Sequence, residues 1–123
     1  SAASDVYKRQ KLQLTLFENQ LKQLGIESVA CMKAEEILGY LEHEHFDALF
    51  TDMQMPEMDG CEAAEAIRAL PREDARKVPI LALTGNSGSD DVERAMAAGM
   101  NDFMVKPVQM KLLAQMMSAY LQH

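Results

Sequence analysis

Residues 46–60 read FDALFTDMQMPEMDG, and the fold turns on this stretch. Phe46 to Thr51 is almost continuously apolar, the pattern of a strand covered on both faces, as in a parallel sheet, rather than the alternation of a half-exposed one. It stops at Asp52, and a Met-Pro-Glu-Met-Asp-Gly turn follows. Cys61 to Leu70 then carries Ala63, Ala64, Ile67 and Leu70 at helical spacing. An apolar strand, a tight loop and an amphipathic helix make the first half of a βαβ unit.

The same succession repeats downstream. Pro71–Lys77 reads as a charged loop, and Val78–Leu83 as a second core strand, apolar apart from its early proline. Gly85–Ser89 is a polar loop. Asp90 is placed to cap a helix, with Glu93 at capping-box spacing and Gly99 to stop it. Phe103–Val105 is a short strand closed by Lys106-Pro107. A last helix spans Gln109–Leu121, with Leu112, Leu113, Met116, Met117, Tyr120 and Leu121 as its apolar face.

Upstream, Leu14, Phe17, Leu21 and Leu24 give a helix over Lys11–Leu24, ended by Gly25. Ile26–Cys31 is a short strand candidate. Ala34–Glu44 is a helix burying Ala34, Ile37, Leu38 and Leu41. Strands alternating with helices predict an α/β domain with a parallel sheet. The series opens with a helix, so the usual opening strand is missing or hidden in the first ten residues.

Composition excludes other classes. The 123 residues hold 12 Lys and Arg against 19 Asp and Glu, a net charge of −7, which disfavours a nucleic-acid face. That length fits one domain. Cys31 and Cys61 match neither a disulfide framework nor a zinc spacing, and a reducing cytoplasmic compartment suits them as small apolar residues. No apolar run approaches a membrane span, and no secretory leader pattern is present. His43 and His45 read as solvated surface, and the ten methionines as mostly core filler.

In open α/β sheets, ligands bind beyond the carboxyl ends of the strands. Asp52, Thr84 and Lys106 each follow an apolar run there. A carboxylate, a hydroxyl and an ammonium on one rim can accept a phosphoryl group: the carboxylate as nucleophile, the other two as donors to the transferred oxygens.

These residues carry a resemblance. Asp52–Gly60 (DMQMPEMDG) resembles the phosphoacceptor loop of the response-regulator receiver family, and Leu81–Asn86 (LALTGN) and Phe103–Pro107 (FMVKP) are similar to its other two signatures, in the same order. The wording is most similar to receivers of hybrid histidine kinases. The resemblance implies a flavodoxin-like doubly wound sheet of order 2-1-3-4-5 and cytoplasmic phosphorelay signalling rather than enzymatic turnover. Asp52 would take a phosphoryl group from a phosphohistidine on a histidine kinase or phosphotransfer protein. Asp52 and the backbone carbonyl of Gln54 would bind Mg²⁺. Lys106 and Thr84 would hold phosphoryl oxygens, with Thr84 and Phe103 as switch residues. Pro56, Gly60 and Pro107 would shape the loops, with Lys106-Pro107 a candidate cis peptide. Asp59 is expected to cap the following helix.

The start departs from the family. Where the resemblance calls for an acidic pair after the first strand, counting back from Gly25 finds Lys8 and Arg9. Residues 1–10 are therefore expected to be a non-native leader, and residues 11–123 a receiver domain without its own first strand. Ala2, Ala3, Val6 and Tyr7 would be poor substitutes for that strand, and Asp5 a remote substitute carboxylate. Magnesium binding and phosphorylation are expected to be weak. The alternative is a pseudo-receiver that binds partners without being phosphorylated. A small-molecule binder or hydrolase is disfavoured, since no Gly-rich phosphate loop or Gly-x-Ser-x-Gly is present.

Overall fold

The computed structural model describes residues 2–29, 34–53, 60–85 and 90–121. The chain divides into two compact units, residues 1–32 and 33–123.

The first unit is dominated by one helix, α1 (Ala2–Gln23). The expected helix at Lys11 thus begins nine residues earlier, and residues 2–10 are helical rather than a substitute strand. Ala, Lys, Arg and Gln are good helix formers, and no Gly or Pro interrupts them. Gly25, at φ 78°, ends the helix. Its amide donates to the Lys22 carbonyl (2.9 Å) and that of Ile26 to the Leu21 carbonyl (3.0 Å), the paired bonds of a Schellman motif. The strand expected over Ile26–Cys31 does not form in its described part, residues 26–29; Cys31 lies outside the described residues. Three of those four residues are exposed.

The second unit contains a parallel sheet in the order β1 (Leu49–Asp52), β2 (Ile80–Thr84), β3 (Asp102–Val105). These are the last three strands of the five expected. Leu49 pairs with Ile80 and Asp52 with Leu83; Leu81 pairs with Asp102 and Thr84 with Val105. Every residue of β2 is buried, which explains its unbroken apolar run. Around the sheet are α2 (Ala34–His43), α3 (Gly60–Arg68), a short α4 (Glu73–Arg76), α5 (Asp90–Ala97) and α6 (Met110–Leu121). α5 packs on β2 and β3, and α3 lies beside α2 and α5.

Helical spacing decides what is buried. Gly60, Ala63, Ala64 and Ile67 form the inner face of α3, Ile37 and Leu41 that of α2, and Leu113 and Met117 the buried row of α6. Full burial of each Leu or Ile contributes about 2 kcal/mol. Two expectations need correction. Leu112 is 42% exposed, one position off the buried row. The loop expected at Pro71–Lys77 contains α4, supported by a Glu73–Lys77 bond of 2.7 Å one helical turn apart.

Arginines fasten the amino-terminal ends of the strands. Arg68 Nε donates to the Gly99 carbonyl (2.9 Å), and Nη1 to those of Arg76 (2.8 Å) and Val78 (2.7 Å). Its Nη2 donates to Asn101 Oδ1 (2.8 Å), which also accepts the Ile80 amide (2.8 Å). Burial pushes the Arg68 guanidinium below its ordinary pKa. Gly99, at φ 100°, ends α5 in a second Schellman pair; an added Cβ would lie 3.1 Å from Arg68 Cγ. Arg72 donates to the Leu41 carbonyl (3.0 Å) at the end of α2 and to both carboxylate oxygens of Asp74 (2.9 and 2.7 Å). Among the described residues, no helix is long and apolar enough to cross a membrane.

Candidate functional site at the strand ends

Parallel strands bring their carboxyl ends to one edge, so Asp52 (last residue of β1), Thr84 (last of β2) and Lys106 (just after β3) share it. Lys106 Nζ donates to both carboxylate oxygens of Asp52, at 3.0 Å each. The pair is partly buried, the lysine side chain 25% and the aspartate 10% exposed. In so dry a setting each charge depends on the other, because an unpaired buried ion is costly.

Thr84 is fully buried. Its Oγ1 donates to the Met104 carbonyl at 3.5 Å, and its own carbonyl accepts the Lys106 amide at 2.8 Å. The hydroxyl is thus engaged with β3, while the backbone bond ties the threonine to the residue that carries the ammonium. These two carbonyl acceptors have no signature in the sequence, because any residue supplies a carbonyl. Phe103 is half-buried in β3 opposite Ala82, and its amide donates to Asp102 Oδ1. Lys106-Pro107 is cis, as expected.

Gly60 begins α3 against β1. A Cβ there would lie 2.7 Å from Thr51 Oγ1, closer than real contacts allow. Only glycine lets α3 start this near β1, immediately beside Asp52. Asp90 is the first residue of α5 rather than its cap. Gln54, Pro56 and Asp59 lie outside the described residues, as does the side chain of Asp5.

A profile of the response regulator receiver domain matches residues 9–118. The chain belongs to the receiver domain family. It is 36% identical over 103 residues to the sensor protein GacS of Pseudomonas syringae, covering 83% of this chain but 11% of that protein. To hybrid signal transduction histidine kinase B of Dictyostelium discoideum it is 37% identical over 107 residues, 79% of this chain and 5% of that protein. The chain therefore spans a small part of these relatives. Among solved structures, it is similar to the receiver domain of sensor histidine kinase PA1611 from Pseudomonas aeruginosa, which has magnesium in its active site cleft. The TM-score is 0.80 at 32% identity, covering 90% of this chain and 89% of that one. The receiver of a histidine kinase from Syntrophus aciditrophicus gives a TM-score of 0.76 at 28% identity. The receiver domain is thus a flavodoxin-like α/β signalling domain of two-component systems.

Among the described residues the donor set does not fit the divalent cation that the family implies. Magnesium needs hard oxygens in octahedral array, usually including one or two carboxylates. Among the described residues no three His, Cys, Asp or Glu side chains are grouped to hold a metal. Lys8 and Arg9 lie in α1.

Proposed function

We propose that this receiver domain accepts a phosphoryl group on Asp52 from a phosphohistidine of a histidine kinase or phosphotransfer protein. The observation that carries the reading is the contact of Lys106 with both oxygens of Asp52 across the full width of the sheet. One carboxylate oxygen attacks phosphorus in line with the departing imidazole nitrogen. The N–P bond breaks, its electron pair goes to the ring, and an O–P bond forms. Lys106 releases one carboxylate oxygen and donates to a phosphoryl oxygen instead. Thr84 turns its hydroxyl from the Met104 carbonyl to another phosphoryl oxygen, and that displacement at the β2–β3 junction is what a partner reads. Phe103, one residue before Met104, is placed to follow it. Pro56, Gly60 and Pro107 hold the surrounding loops, and the site works on the cytoplasmic side, where the phosphohistidine partners reside.

The test is incubation with a small-molecule phosphoryl donor, read by intact mass. A gain of one phosphoryl group that Asp52→Asn abolishes is expected. No gain, in a chain shown to be folded, overturns the reading. The second reading, a pseudo-receiver that only binds partners, draws support from the basic Lys8 and Arg9, and the same mass measurement separates the two.

A further inference from the structure

Asp52 already has a fixed positive partner. The ammonium of Lys106 spans both oxygens at equal distance, 3.0 Å, in a setting where the carboxylate is only 10% exposed. A divalent ion would draw on those same oxygens and meet the ammonium at close range, and no group of metal-ligating side chains among the described residues offsets the repulsion. Asp52 is the only carboxylate that ends a strand among the described residues. No grouping of three metal-ligating side chains is found among those residues, and the two residues standing for the acidic pair are a lysine and an arginine in a helix. A hard cation that keeps most of its water still demands more than one anionic ligand to bind tightly.

We infer that Lys106 is the resident counter-cation of Asp52 in this chain, and that the acceptor site works without a divalent metal. What the site accepts rests on the phosphoryl reading above; the metal claim itself does not. An incoming phosphoryl group then meets one positive charge rather than three. Transfer is slow, and indifferent to magnesium.

Manganese(II) titration of the ¹⁵N-labelled full chain tests this, read by paramagnetic broadening of the Asp52, Met53, Thr84 and Lys106 amides. No saturable broadening of these four at millimolar metal is expected. Saturable broadening that Asp52→Asn abolishes overturns the inference. Broadening that survives Asp52→Asn belongs to a site away from the carboxylate and supports it. A second measurement compares phosphoryl labelling with magnesium and with a chelator. A rate ratio of about one is expected, and about tenfold acceleration or more by magnesium overturns the inference. If no labelling occurs under either condition, the phosphoacceptor reading fails, while the manganese titration still judges the metal claim.

Discussion

Replacing Arg68 by methionine keeps much of the aliphatic stem and removes a guanidinium that donates four hydrogen bonds. Three of its acceptors are backbone carbonyls, of Gly99, Arg76 and Val78, which lie 8 to 31 positions away in sequence. At the low end for bonds to a charged group, about 1.5 kcal/mol each, the four are worth about 6 kcal/mol. Side-chain freedom recovered on release returns about 2 kcal/mol, leaving a loss of about 4 kcal/mol. That is a large share of the roughly 5–15 kcal/mol that holds a small domain folded. At this chain length it lowers Tm by about 15 °C. Urea unfolding followed by circular dichroism is the assay, with a lower midpoint at unchanged slope. Asn101→Ala, alone and combined with Arg68→Met, should give a coupling of about 1 kcal/mol, since Arg68 donates to the Asn101 Oδ1 that also accepts the Ile80 amide. A loss under about 1 kcal/mol for Arg68→Met, or no coupling to Asn101, refutes the clamp.

Two other substitutions probe the same scaffold. Gly60→Ala drives a Cβ to 2.7 Å from Thr51 Oγ1 and should cost about 1–3 kcal/mol despite alanine's better helix propensity; Thr51→Ala in the same chain should restore most of it, measured by urea midpoint. Asp74 reports on pH. Its hydrogen bond to Arg72, with a smaller one to His45, holds its carboxyl well below the usual carboxylate range. A depressed folded-state pKa stabilises the fold fully above the unfolded value of about 4, and that contribution is lost as pH falls toward the folded value. The stability gap between the wild-type chain and Asp74→Asn should therefore be widest near neutral pH and shrink below about pH 4; a gap unchanged down to about pH 2 contradicts it.

Most of the second unit can be read from residue order alone. The apolar run ending at Asp52, the one ending at Thr84 and the Lys106-Pro107 stop locate the rim, because a buried parallel strand admits polar residues only where it ends. Gly25 and Gly99 mark helix ends for a reason visible in the backbone, since both adopt positive φ and release the following amide to the Schellman bond. Other features depend on partners distant in sequence. Arg68 sits mid-pattern in an amphipathic helix and reads as surface; its acceptors lie up to 33 positions away and three are carbonyls that carry no residue signature. Residues 2–10, expected as a leader and a poor substitute for the first strand, are helical, as their local propensity allows. Leu112 shows that a periodic apolar stripe wider than the available groove leaves its margin in water.

β2 separates two kinds of work. At one end its backbone is gripped through Asn101 and Arg68; at the other, Thr84 meets the lysine that holds Asp52. Five residues at about 3.3 Å each put roughly 16 Å between the two, well beyond the screening length of about 8 Å in physiological salt. Damage to one end can therefore be compensated by tightening the other, without retuning the Asp52–Lys106 charge pair.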